Sequence, residues 1–147
     1  MRTILLENVF TVGATPEAVR AHLAEPTNYI GLSPLIVAVD DVRTVNDTVH
    51  YVAVERFRFG FLRHDNRIAV SLRTAEGRVW GEVVSPGRVR LDYGYTFVPD
   101  GDQTTVTDTL RLRAPFGLRR FAASQARAVQ LTRAGILATR MGHVSGS

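Results

Sequence analysis

QTTVTDTLRLRAPFGLRRFAASQARAVQLTRAGILATRM, residues 103–141, changes period in mid-course, and that change decides the fold. As far as Arg113 the side chains alternate. Thr104, Val106, Asp108, Leu110 and Leu112 share one side, and threonines and arginines share the other, which is the pattern of a half-buried strand. Ala114-Pro115 interrupts it, and from there to about Arg140 a period near 3.6 takes over, long enough to cross a whole domain. Leu118, Phe121, Ala122, Ala128, Val129 and Ile136 mark one face of this helix, with Arg120 and Arg127 opposite. An amphipathic helix of that length has to pack on something, and the partner has to come from upstream.

Upstream, period two runs from Leu35 to the start of the quoted stretch. It is broken by turn chemistry at Asn46-Asp47, Phe59-Gly60, Glu76-Gly77, Pro86-Gly87 and Asp100-Gly101. Strands over 35–45, 49–58, 63–74, 78–84, 88–98 and 103–113 fit these breaks. A further strand covers Thr3 to Val12. Behind it Thr15-Pro16-Glu17 supplies a cap, a first-turn proline and an acid for the positive end of the dipole, so a short helix starts there. Pro26 stops that helix, and a second short one covers Asn28 to Leu32. The expected architecture is α+β: a seven-stranded curved antiparallel sheet round a long C-terminal helix, with two short helices after the first strand.

This order of elements is similar to that of the START-related superfamily of helix-grip proteins, which includes polyketide cyclases and dehydrases and lipid-transfer domains. The more specific residues are Val12-Gly13-Ala14-Thr15-Pro16-Glu17-Ala18-Val19, Glu25-Pro26 through Pro34, Gln103-Thr104-Thr105-Val106-Thr107, and Ala114-Pro115-Phe116-Gly117-Leu118. The resemblance covers nearly the whole chain. It implies a cavity between sheet and helix that takes a small hydrophobic molecule of lipid, polyketide or isoprenoid character. Where members often carry tryptophan after the first helix, this chain has Gly31-Leu32-Ser33.

Composition agrees with one domain over residues 1–147, with 142–147 expected as a disordered tail. The 147 residues are 45% hydrophobic and 22% charged, enough for a single substantial core. All 18 basic residues are arginine, which suggests a GC-rich, bacterial coding genome, and the net charge is +4. Asp108 is the last acidic residue, so the C-terminal part is strongly basic, and an interaction module docking on protein or membrane through that helix is one reading of it. The arginines form no continuous groove-sized stripe, so no nucleic-acid partner is expected. The absence of cysteine excludes disulfides, thiol nucleophiles and cysteine metal sites. No apolar run is long enough for a membrane span or a signal-peptide core, so cytoplasmic location without integral membrane contact is expected. There is no phosphate loop, nucleotide fingerprint or metal-ligand spacing, so neither cofactor nor metal is expected. A homodimer is left open.

The candidate ligand-binding residues are Tyr93, Tyr95, Asp108, Gln125, Val129 and Thr132; no catalytic residue is assigned. Tyr93 and Tyr95 fall on the apolar side of strand 88–98 with Val89, Leu91 and Phe97, where phenols serve a ligand or simply fill core. The alternation puts Asp108 on the inward side among aliphatics, where it is a tuned acid-base group or half of an arginine pair, unless a register bulge turns it outward. Gln125 and Thr132, seven apart, fall near the middle of the helix's apolar face. A binding protein needs only the cavity, whereas a cyclase or dehydrase needs Tyr93, Tyr95 or Asp108 to move protons. His64 is the one histidine whose strand face leads to apolar positions. Phe57, Phe59 and Phe61 make an aromatic hairpin that gates the cavity, supports a dimer, touches membrane or packs as core.

Overall fold

The structure is a computed structural model and describes residues 3–85 and 89–142. The Pro86-Gly87 turn, His143 and all but the first residue of the expected tail lie outside the described residues. Seven antiparallel strands form one sheet: β1 (Thr3–Val12), β2 (Ile36–Val45), β3 (Thr48–Phe59), β4 (Leu62–Ala75), β5 (Arg78–Ser85), β6 (Val89–Asp100) and β7 (Gln103–Arg113). Their order is β1-β7-β6-β5-β4-β3-β2. Strands β2 to β7 are therefore a hairpin meander, and β1 closes the row beside the last of them.

The turns follow from residues that tolerate a left-handed backbone. Asn46 takes φ 55, Gly60 61, Gly77 75 and Gly101 65 degrees, values that cost glycine nothing and asparagine little. Two of these turns sit one residue later than the sequence reading placed them: Gly60-Phe61 and Gly101-Asp102 are the connecting pairs.

Between β1 and β2 lie helix α1 (Pro16–Leu23) and a 3-10 turn at Pro26–Tyr29. Thr15 caps α1 by accepting from the Ala18 amide at 3.2 Å, and Val19 and Leu23 point into the core. The second short helix is corrected in place: Pro26 opens it instead of merely ending α1, because a first-turn proline gives up no needed hydrogen bond. The long helix α2 spans Arg119–Met141. No helix among the described residues is long and apolar enough to cross a membrane.

Helix α2 packs on β1 and β7 at one edge of the sheet. Its buried residues are Gln130, Arg133, Ala134 and Leu137. This corrects the face read from periodicity: Ala128 and Thr132 are exposed, and Arg127, expected opposite the packed face, reaches the Glu7 carbonyl on β1. Two polar residues stand in the buried stripe, and hydrophobic periodicity cannot count them. At the far end Arg140 donates to the carbonyls of Asn28 and Ile30, and the Gly13 amide donates to the Gly142 carbonyl at 3.0 Å. The helix is thus tied along one edge of the sheet and at its own C-terminus.

One glycine is demanded by close packing. The Tyr93 hydroxyl donates to the Ser71 carbonyl at 2.8 Å, which brings that carbonyl against Gly81. A β-carbon on Gly81 would lie 1.8 Å from the Ser71 oxygen and 2.7 Å from the Tyr93 hydroxyl. Gly135, in contrast, has nothing within 4 Å of such a carbon and only costs α2 helix propensity. In urea unfolding, Gly81→Ala is expected to lose about 2 kcal/mol or more through forced strand displacement. Gly135→Ala is expected to gain about 0.5–1 kcal/mol.

Candidate functional site

The sheet curls away from α2 on the side of β3, β4 and β5, and the space between holds a cavity of about 330 Å³. Its walls come from alternate positions of the strands. On β3 these are Tyr51, Glu55 and Phe57, on β4 Asn66, Ile68 and Val70, and on β6 Val89, Leu91 and Tyr93. Helix α2 covers it with Phe121, Ala122, Gln125, Val129 and Arg133, and Leu118 just before the helix joins them. Most of the wall is hydrocarbon, and its few polar groups gather at two levels.

The inner level is built round Arg133. Its Nη2 donates to both carboxylate oxygens of Asp108, at 2.9 and 2.8 Å, and both residues are buried. The guanidinium carbon lies 5.1 Å from the Tyr95 ring centre, a cation–π contact that a desolvated site strengthens. Tyr29, Tyr51, Tyr93 and Tyr95 all feel its charge. Burial works against the cation, and the charge and hydrogen bonds of the Asp108 carboxylate more than offset it, so Arg133 stays charged. Burial also pushes all four phenols up beyond their ordinary range, so each stays a neutral hydroxyl. Tyr29 donates to the Leu23 carbonyl at 2.7 Å. Two buried atoms have no hydrogen-bond partner among the described residues, the Tyr95 hydroxyl and Arg133 Nε.

Gln130 locks this level to the sheet edge. Its Nε2 donates to the Asp108 carbonyl at 3.0 Å and the Leu6 carbonyl at 3.4 Å. Arg127 donates to its Oε1 at 2.8 Å. Arg127, Gln130 and Arg133 are three residues apart, so one side of α2 carries all three anchors.

The outer level is Glu55, with Asn66 opposite it in the β3–β4 register and Ser85 and Gln125 nearby in the wall. Asn66 donates to Ser85 at 3.3 Å. Burial raises the Glu55 carboxyl above its ordinary 4.5, and a hydrogen bond from Asn66 opposes part of the rise. Beyond this level the wall is apolar and open: Leu118 is 45% and Phe121 62% exposed.

Of the sequence candidates, Tyr93, Gln125 and Val129 line the cavity. Tyr95 and Asp108 face inward but sit in the core behind Arg133, where Asp108 is committed to its ion pair. Thr132 is corrected: it is exposed on the outer side of α2, one residue from the inward-pointing Arg133. His64 is exposed past the last lining residue of β4, and no group of three His, Asp or Glu among the described residues is placed to hold a metal. Phe57 lines the cavity, Phe61 projects to solvent, and the Phe59 side chain lies outside the described residues. The sequence reading missed Tyr29, Tyr51, Glu55, Asn66 and Arg133. Glu55 had a signal, since Tyr51, Ala53, Glu55 and Phe57 alternate on one side of β3. Arg133 had an indirect one, since an inward Asp108 requires a cation and the helix is the only element left to supply it.

The basic C-terminal part is largely spent on internal contacts. Arg133 is buried, Arg127 and Arg140 bind backbone carbonyls, and Arg113 lies 3.5 Å from Asp92.

Comparison with solved structures finds the same fold at low identity. A protein of Thermus thermophilus matches with TM-score 0.74 at 16% identity, covering 94% of this chain and 97% of that one. An aromatase/cyclase from a Streptomyces species matches with TM-score 0.76 at 12% identity, covering 99% of this chain and 100% of that one. A START superfamily protein from Mycobacterium smegmatis matches with TM-score 0.73 at 12% identity, covering 94% and 99%. No protein-family model and no curated protein matches the sequence. The chain has the START and polyketide-cyclase-like helix-grip fold.

Two measurements test the polar levels. Asp108→Ala leaves a buried arginine unpaired and is expected to cost about 3–5 kcal/mol in urea unfolding, whereas Asp108→Leu with Arg133→Met together recovers most of that loss. Glu55→Gln tests the outer level through pH. A carboxyl raised in the folded state favours folding below its unfolded value of 4.5 and loses that advantage as pH rises through the folded value. The variant is therefore expected to be more stable than the parent at pH 7, with the difference vanishing near pH 4.

Proposed function

We propose that the protein binds a small, largely apolar molecule, of lipid, polyketide or isoprenoid character, in the cavity between the sheet and α2. The observation that carries this reading is a cavity of about 330 Å³ walled mainly by hydrocarbon, with polar groups confined to two levels. A handful of placed polar groups on an apolar wall is the usual form of a small-molecule site, and the volume is within the usual range. The neighbours in fold include an aromatase/cyclase, which supports the same class of ligand.

A cyclase- or dehydrase-type activity needs a proton-moving group in the cavity. The candidates first favoured do not supply a good one, because Asp108 is held by Arg133 and burial makes the Tyr93 phenol hold its proton well above the ordinary phenol range. Glu55 is the carboxyl in the wall, and its raised pKa is the observation that keeps an acid-base role within reach. Binding requires none of this, and it is the reading that the site supports best.

Native mass spectrometry of the freshly purified protein, set against the denatured mass, tests the proposal. A bound species of a few hundred daltons is expected, and its mass and fragments give the chemical class. A protein that is clean and stays clean against a panel of lipids and aromatic polyketides would overturn the reading and shift attention to the exposed rim as a docking surface.

A further inference from the structure

Buried polar atoms without partners are rare, because each one left unmade costs about 1–3 kcal/mol. Among the described residues there are two, Arg133 Nε and the Tyr95 hydroxyl, both closed off behind the cavity wall, and the same guanidinium forms part of that wall, where its Nη1 bonds to no described residue. No described side chain of the inner level bonds Nη1: Tyr29 and Tyr93 turn their hydroxyls to the carbonyls of Leu23 and Ser71, and Asp108 is held by Nη2.

The kind of group that fits can be narrowed by charge. Asp108 already neutralises Arg133, so a ligand carboxylate would bring a second anion beside the first in a site withdrawn from water, where like charges repel strongly. A carbonyl oxygen accepts a hydrogen bond from the guanidinium without adding charge. The outer level asks for the opposite partner. Glu55 receives a bond from Asn66 and keeps acceptor capacity to spare, which a ligand hydroxyl can fill.

Spacing sets the length. Tyr51 beside Arg133 and Glu55 at the outer level are four residues apart on one strand, which is about 13 Å along the backbone. The polar tips reach into the cavity from both levels, leaving a span on the order of 10 Å, that of a fused bicyclic skeleton with a substituent at each end. Between the levels the wall is Ile68, Val70, Val83, Leu91 and Leu110.

Resting on the cavity reading above, we infer that the ligand is a neutral hydroxy-ketone on a compact apolar skeleton, its carbonyl oxygen seated on Arg133 and its hydroxyl on Glu55. The two levels then act as specificity determinants that set the ligand's direction in the cavity.

A matched set of naphthalenes tests this by titration calorimetry or fluorescence. The set comprises the bare hydrocarbon, one with an acetyl group, one with a hydroxyl, one with the two groups at opposite ends, and one in which a carboxylate replaces the acetyl group. The expected order places the acetyl-hydroxyl compound first, about tenfold tighter than either singly substituted one, with the carboxylate weaker than the ketone. Glu55→Leu is expected to abolish the gain from the hydroxyl and keep the gain from the acetyl group. Asp108→Leu with Arg133→Met, which leaves no charge unpaired, is expected to do the reverse. Binding of all five compounds with equal affinity overturns this inference and leaves the cavity reading standing, as does tightest binding by the carboxylate. If none binds, the bare hydrocarbon included, both fall.

Discussion

The bond between Arg133 and Asp108 holds the rest of the structure in its arrangement. It joins the long helix to the last strand in a region closed to water, and a charge pair there is stable only while both members are present. Around it Gln130 and Arg127 bind carbonyls of β1 and β7, so the helix has a fixed rotation and a fixed height over one sheet edge. A purely apolar seam would permit sliding and rolling of the helix at small cost. A set of directional polar anchors permits one register.

The cavity is the geometrical consequence. With α2 tied to the edge formed by β1 and β7, and its C-terminus tied to the loop after α1 by Arg140, the helix is not free to settle onto β3, β4 and β5. The sheet curves round the opening instead. The side chains that face across it, such as Ile68 and Val70 on one side and Ala122 and Val129 on the other, are too short to fill the gap. The same anchors leave the start of the helix unsupported, where Leu118 and Phe121 stay partly open to solvent beside the rim. The contacts that stabilise the fold and the space that receives a ligand thus share residues, and Arg133 belongs to both.

Much of the fold was legible because the local signals agreed with one another. Alternation along β7, the break at Pro115 and the return of helical period specify a strand leading into a helix. The asparagine and glycine turns specify a meander. Thr15-Pro16 marked the start of α1. The site was less legible for a specific reason. Its polar members are the exceptions to the pattern that locates elements: Gln130 and Arg133 stand in a buried helix face, and Glu55 stands in an inward strand face. Periodicity treats such residues as evidence about which way a face points, and so Thr132 was turned inward and Arg133, one position on, was passed over. For Asp108 the alternation of its strand neighbours pointed inward, and the ordered pairing of β6 with β7 removes the bulge that left its face open. Tyr29 and Tyr51 needed the tertiary fold, since each is ordinary in its own segment and meets the others only round the guanidinium.

The central claim is that Arg133 serves the fold through Nη2 and the ligand through the rest of its guanidinium. The most direct measurement is the side-chain Nη1–H resonance of Arg133 by nitrogen-15 NMR at low temperature, assigned by its absence in the Asp108→Leu, Arg133→Met double variant, and followed during titration with acetylnaphthalene and with naphthalene. The account predicts that the ketone shifts this resonance downfield and that the hydrocarbon, though bound, leaves it nearly in place. A resonance that responds equally to both, or to neither while both bind, would contradict it.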